Sequence, residues 1–400
     1  MLTAGYYYNL TFVQLGLIDL GTRRVGMTPW AVSAVMAGLA LFTLLVAVVT
    51  GVSMDRRGWS TDLYTKLRML FLVIAVQFVL TVVAPYVSTS GGFVLWVGVC
   101  SVALGVGIPV TFSFMIDFIP VRDRGYVAAT VAGLSFFAAA LYPVEWSIES
   151  FSTVMSVAMA PAVVALAVVS VRRFSFVDEL ARQHEEFGTG RFCRSSPIRT
   201  KSFAFWSLVV LMFGVFFIDS LGFLRIIETP AYIYTSWQSP EVGTRVFIAV
   251  THVVGALVAG VLYTNFSRRW IFLWVLGLFA FTHLLYVFHV RFGADGTPPL
   301  ILPMFYVIAV SFYTTLNFAL WPDLSTAGTV GTHTALGVGI SGWLATFFST
   351  ALALYSDGIG LSLLTHLRYV NALSLLFVVS LPVLVYVHRM YKLAGGGAEA

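Results

Sequence analysis

Apolar runs of about twenty residues alternate along the chain with short pieces rich in Gly, Ser, Pro and charge. An α-helix needs a run of that length to cross the hydrocarbon core of a bilayer. Barrel strands would be half as long and would alternate polar with apolar residues. Twelve spans are predicted, at 3–21, 29–50, 64–85, 93–117, 126–144, 152–171, 203–226, 244–264, 270–290, 300–321, 332–355 and 369–389. Turn-rich segments such as Ser88-Thr89-Ser90-Gly91-Gly92 separate them. The longest polar stretch, 172–202, divides six spans from six and mixes both charge signs with Gly, Ser and Pro. It reads as a tether carrying one short amphipathic helix, between an N-terminal bundle at 1–171 and a C-terminal bundle at 203–400.

Composition agrees with the pattern. Hydrophobic residues make up 59% and charged residues 10% of the 400, and the mean hydropathy is +0.90. A soluble domain carries about a quarter charged residues, so the expected class is an all-α integral membrane protein with the lipid bilayer as its surroundings. The formal net charge of +5 could point to nucleic acid, but the basic residues sit in short loops between spans. With the N-terminus inside, 17 of the 23 Lys and Arg fall on the inner side, among them Arg56, Arg57, Lys66, Arg68, Arg122 and Arg124. Such a bias sets topology, with both termini cytoplasmic and no nucleic-acid partner expected. Cys100 and Cys193 fit neither a disulfide framework nor a metal cluster. Apolar sequence begins almost at Met1 without a basic leader, so no cleavable signal is expected.

The two halves resemble each other. Ile18-Asp19 recurs as Ile218-Asp219, 200 positions later. Asp117, Gly125, Ala129 and Gly133 recur as Asp323, Gly331, Ala335 and Gly339, all at an offset of 206, and Gly51 matches Gly260. Shared order and near-constant offset imply duplication of a six-span unit. Both copies run in the same direction, so the two bundles are pseudo-symmetric about an axis along the membrane normal.

Between the second and third spans stands Gly51-Val52-Ser53-Met54-Asp55-Arg56-Arg57-Gly58. It resembles the signature loop of the major facilitator superfamily, Gly-x-x-x-Asp-Arg-x-Gly followed by basic residues. A decayed copy, Gly260 to Arg269, follows in the second half, and Asp117 to Gly125 resembles the acidic-to-Arg-Gly turn of the same family. The resemblance covers nearly the whole chain. It implies two six-helix bundles that rock about a central site, spans one, four, seven and ten facing that site, and a cytoplasmic gate. The gate residues would be Gly51, Asp55, Arg56, Arg57, Gly58 and Asp117, with Asp55 facing the N-terminal end of span eleven near Val330-Gly331-Thr332. Trp59-Ser60 replace the basic pair that follows the second glycine, which leaves Arg56 or Arg57 as candidate partners for Asp117.

Ionisable groups inside a bilayer are costly and need a reason, of the order of 2.5–3.5 kcal/mol at a helix centre. Asp19 and Asp219 are candidates for proton coupling; Asp19 pairing with Arg23 or Arg24, and Asp219 meeting outer-side water, are the alternatives. Substrate-cavity candidates are Asn9, Gln14, Thr111, Asn317, Arg225 and His252. Arg225 and Glu228 stand one turn apart and also fit a local ion pair, and His252 also fits an interhelical hydrogen bond. Span ten carries Phe305, Tyr306, Phe312, Tyr313, Phe318 and Trp321, which serve packing or an aromatic-lined cavity.

No His-x4-Asp acyltransferase pattern, Gly-x-Ser-x-Gly elbow, metal-spaced His/Glu cluster or phosphate-cradling loop is present, so neither an enzyme, a cofactor nor a metal is expected. The superfamily's drug antiporters usually carry a Gly-Pro-rich motif in span five, and Ala132 to Ala140 has no Gly-Pro step. The sugar-porter Pro-Glu-Ser-Pro-Arg signature is absent from 172–202. The expectation is a monomeric secondary transporter of a small solute, with proton coupling left open, in a bacterial or archaeal plasma membrane. A transporter-like receptor or assembly factor is the alternative.

Overall fold

The computed structural model describes residues 2–141, 147–171, 174–194, 197–266, 268–293 and 296–393. The side chains of Gln14 and Glu228 lie outside the described part. Among the described residues the twelve principal helices are α1 (2–24), α2 (Pro29–Arg57), α3 (Leu63–Val83), α4 (Ser90–Phe118), α5 (Arg124–Leu141), α6 (Ile148–Val171), α7 (Phe203–Glu228), α8 (Val242–Asn265), α9 (Arg268–Phe292), α10 (Ile301–Asp323), α11 (Val330–Gly358) and α12 (Leu363–Leu393). Eleven are long and apolar enough to cross a bilayer. The twelfth, α1, is π-helical over Asn9–Gly16 and Leu20–Arg24. The chain is an integral, multi-pass membrane protein, as its hydropathy predicts.

Most helices run a few residues beyond the predicted spans, and several begin directly after a polar cap. Thr28, Asp62, Thr89 and Ser202 are such caps. Their side-chain oxygens accept the backbone N–H of Ala31 (3.2 Å), Tyr64 (2.9 Å), Gly92 (3.1 Å) and Phe205 (3.2 Å), which satisfies donors that the first helical turn leaves free. Helix α2 ends on Gly58, whose φ of 69° is left-handed and whose N–H donates to the Met54 carbonyl. A side chain there would be strained, so the second glycine of the loop is a backbone requirement.

Burial separates centre from rim. In the most apolar window of α10, 78% of residues are buried, against 17% in α6 and α12. The halves meet along two seams, α2 against α11 and α5 against α8. Both seams use small residues, as membrane helices must when packing rather than water exclusion drives their association. Gly51 lies on the backbone of Gly331, and Gly125 lies on the backbone of Gly260. These four glycines are the repeat-related set from the sequence, so one seam is the pseudo-symmetric image of the other. Ala129, Ala132 and Ala256 continue the second seam.

The linker contains the expected short amphipathic helix, Ser175–Gln183, with Val177 and Ala181 buried. It does more than tether the bundles. The Phe192 N–H donates to the Ile116 carbonyl of α4 and the Ile198 N–H to the Leu324 carbonyl after α10, both at 2.9 Å. The linker is therefore fastened to both halves on one face of the molecule.

Candidate functional site: a central cavity and its seal

A cavity of about 230 Å³ lies between the halves. It runs from the middle of the helices toward Thr235, Ser236 and Trp237, in the loop between α7 and α8 on the face opposite the linker. Helices α1, α2, α4 and α5 contribute from the first half and α7 to α11 from the second. Its linker-side end is aromatic. Tyr6 packs edge-on against Phe136 and Phe318 (ring centroids 5.6 and 4.9 Å), and Phe318 stacks with Phe112 at 6.1 Å. Tyr6 also lies 3.4 Å from the Thr314 hydroxyl, so α1 of one half touches α10 of the other beneath the cavity.

Two lining stretches are π-helical: Asn9 and Leu10 begin the one in α1, and Val338, Gly342 and Trp343 belong to Val338–Leu344 in α11. Extra residues per turn break the regular hydrogen-bond ladder, a feature that recurs where helices carry function. Nothing in local composition signals either stretch.

Four of the sequence candidates line the cavity: Asn9, Asp219, His252 and Asn317. Asp219 is held by two tyrosines that sequence reasoning had assigned only to a generic aromatic stripe. Tyr313 donates its hydroxyl to Oδ2 of Asp219, and Tyr306 donates to the Asp219 backbone carbonyl at 2.7 Å. Oδ1 of Asp219 and Oδ1 of Asn9 are buried and accept no hydrogen bond. His252 lies 2.9 Å from Ser311 Oγ through Nδ1 and stacks on Phe136 at 4.1 Å. Trp321 donates its indole N–H to Asn317 Oδ1 at 2.8 Å.

Asp19, Thr111 and Arg225 are outside the lining. Ile18 faces the cavity, and the next residue on a helix is turned about 100° away. Asp19 accordingly sits 3.2 Å from Arg23, four positions on. Arg225 pairs with Asp357 of α11 and donates to the Leu361 carbonyl at 3.0 Å. Its described carboxylate partner is thus on another helix, while the Glu228 pairing suggested by spacing along α7 lies outside the described residues.

The face next to the linker is closed by a set of discrete contacts. Asp55 accepts the Gly331 N–H at 3.0 Å and the Thr332 N–H at 2.7 Å, which places it at the N-terminus of α11 as the loop resemblance implies. Gly51 makes room for that approach. Asp117 is buried, and its partner is neither Arg56 nor Arg57. Those two are exposed, with Arg57 over the Trp59 ring at 5.0 Å. Lys66, fully buried on α3, forms the ion pair with Asp117. His184 (3.1 Å) and the Gly190 N–H (2.7 Å) bring the linker to the same carboxylate. An arginine on the outer surface of the loop cannot reach a carboxylate enclosed by α3, α4 and the linker.

Asp323, the repeat mate of Asp117, is the counterpart in the second half. It accepts Arg124 from α5 at 2.6 Å and Tyr263 at 2.7 Å, and it lies 2.8 Å from Arg194 of the linker. Arg124 also donates to the Phe192 carbonyl at 2.6 Å. Each repeat-related aspartate therefore anchors the linker, and Asp323 also ties the second half to the first. The recurrence of Asp117 at 323 and the Arg124-Gly125 end of the turn motif are the available signals; Lys66 and the linker's Arg194 carry no signal beyond the inner-side charge bias. Cys193 sits half-buried in this seal near Ala327, and burial pushes its thiol up from the ordinary range.

No family model matches the chain, and no curated protein matches it in sequence. Solved structures do match in fold. A proton:xylose symporter of the major facilitator superfamily, XylE bound to 6-bromo-6-deoxy-D-glucose, aligns at TM-score 0.63 and 12% identity, over 94% of this chain and 93% of that one. The human organic anion transporter MFSD10 (TETRAN) aligns at TM-score 0.60 and 12% identity, over 92% of this chain and 88% of that one. The chain has the fold of the major facilitator superfamily.

Proposed function

We propose that this chain, built on the major facilitator fold, is a secondary transporter that moves a small solute by alternating access of its two halves. The observation that carries the reading is a cavity lined by both halves and shut on one face by separable contacts between them. The Asp55 cap, the two glycine seams and the Arg124–Asp323 pair can be broken and remade without unfolding any helix. The excess of Lys and Arg on the linker face puts that face in the cytoplasm. The closed face is then inner, and the cavity extends toward the outside.

Of the two intramembrane carboxylates, Asp219 is where we place proton coupling, because it lines the cavity and Asp19 is committed to Arg23. The two solved neighbours carry a sugar and organic anions by their descriptions, so their likeness fixes no substrate. The test is a solute-library thermal-shift screen on purified protein, followed by flux of each stabilising solute in proteoliposomes. A ligand that binds the folded state and not the unfolded one raises apparent stability as the logarithm of its concentration over Kd. Flux that requires an intact cavity supports transport. Stabilisation by a solute that never crosses would instead favour a receptor.

A further inference from the structure

Building on the transport reading, we propose that the cavity takes a small organic ammonium ion, its N–H groups turned to Asp219 and Asn9 and its carbon body held by the surrounding rings. The orphaned polar atoms of the lining define what is missing. Among the described residues, the buried lining atoms without a hydrogen-bond partner are Oδ1 of Asp219 and Oδ1 of Asn9. Both accept and neither donates, so the complementary ligand brings donors.

Charge points the same way. Asp219 is the one carboxylate in the lining, and no Lys or Arg lines the cavity among the described residues. The nearest arginine along α7, Arg225, is occupied by Asp357 and the Leu361 carbonyl. Hydroxyl donors such as Tyr313 can orient a carboxylate but do not neutralise it. A buried ionised group without a counter-charge is expensive, and a bound cation removes that cost. A carboxylate ligand would meet the opposite conditions: repulsion from Asp219 and no guanidinium or ammonium to receive it.

The rings complete the argument. Phe216 lies edge-on to Tyr313 with centroids 4.5 Å apart, and Phe223 lies 5.9 Å from Tyr306. All four line the cavity beside Asp219. The negative faces of aromatic rings attract an ammonium group, most strongly where water is excluded. They also accept the apolar part of the same ligand, and a cavity of about 230 Å³ suits one ring or a short chain.

The experiment uses four probes that share one ring: benzylammonium, benzyltrimethylammonium, benzyl alcohol and benzoate. Binding to the full-length protein is measured by calorimetry and thermal shift. The expected order is benzylammonium first, the donor-free cation second, and the alcohol and benzoate at least tenfold weaker. Asp219→Asn should weaken benzylammonium at least tenfold, while Asp219→Glu retains most of the binding. Equal or tighter binding of benzoate overturns the proposal, as does the absence of benzylammonium binding at millimolar concentration. Unchanged binding to a folded Asp219→Asn also overturns it. Should that variant fail to fold, the probe order in the wild-type protein decides alone. Flux separates this proposal from the one it rests on. Benzylammonium that binds but never crosses overturns transport and keeps the cation site, whereas flux of a benzoate-type solute does the reverse.

Discussion

The carboxylate of Asp55 accepts the Gly331 N–H at 3.0 Å and so supplies α11 with a cap that its own sequence lacks. Thr329, the residue at the cap position, makes no capping hydrogen bond. A helix start in one half is therefore completed by a side chain from the other. Losing a cap costs about 0.5–2 kcal/mol, and losing a carboxylate at the positive end of a helix dipole costs about 0.3–1 kcal/mol. Asp55→Ala should weaken closure by about 1–2 kcal/mol, a factor of roughly 5–30 in the open-to-closed ratio. Distances between spin labels on the linker-face ends of α2 and α11 would register the shift. An unchanged distance distribution would show that the cap does not hold the face closed.

The Gly51–Gly331 approach makes a steric prediction on the same seam. A Cβ at Gly51 would run into the backbone of Gly331 and lie 2.9 Å from the Ala335 Cβ. Gly51→Ala should force α2 away from α11 at an overpacking cost of about 1–3 kcal/mol. Gly38, on the same helix, is exposed and has nothing within 4 Å of its Cβ position. Gly38→Ala should be neutral or slightly stabilising, since Ala is the better helix former by about 1 kcal/mol. Melting temperatures of the two variants, with the spin-label distances, check the contrast.

Lys66 and Asp117 are both fully buried, so removing one partner strands the other. Lys66→Met should destabilise by about 3–5 kcal/mol, the range for breaking a buried pair from one side. Asp117→Asn keeps an oxygen for the Gly190 N–H but drops the charge. The double variant should therefore be more stable than Lys66→Met alone, by at least about 1 kcal/mol. Thermal unfolding of the four proteins closes the cycle. Strict additivity would mean that the two side chains do not act as a pair.

The helices were legible because each announces itself locally, through a window of apolar residues and then a cap such as Thr28 or Ser202. The Asp55 contact was legible for a different reason: its loop resembles one whose geometry is shared by a superfamily. What could not be read were contacts made only when distant segments meet. Lys66, just beyond the loop in sequence, reads as one more inner-side charge, and only α3 brings it to Asp117. Arg225 meets Asp357 of α11, a partner that no spacing along α7 could announce. The Asp19 and Asp219 pair shows the limit of repeat symmetry. The two sit at matched positions, but one turns to Arg23 and the other into the cavity, because rotation about a helix axis is set by neighbours that sequence identity at two positions does not reveal.

Cys193 provides a native reporter of the seal. The thiolate is the reactive form, and burial raises the Cys193 thiol above its ordinary range. With the linker seated, alkylation by a membrane-impermeant maleimide should be slow at neutral pH. Its rate should climb with pH past the usual thiol range of about 8.5. A raised acid favours the seated, protonated form below the unfolded pKa. That stabilisation is lost as pH rises through the folded pKa. Arg194→Ala removes one half-exposed contact to Asp323 and leaves Arg124 and Tyr263 in place, so a modest loosening of about 0.2–1 kcal/mol is expected. Alkylation at fixed pH should then be faster by up to about fivefold, while Cys100, fully buried in α4, stays unreactive until denaturation. A wild-type rate equal to that of the denatured chain would mean that the linker does not cover Cys193.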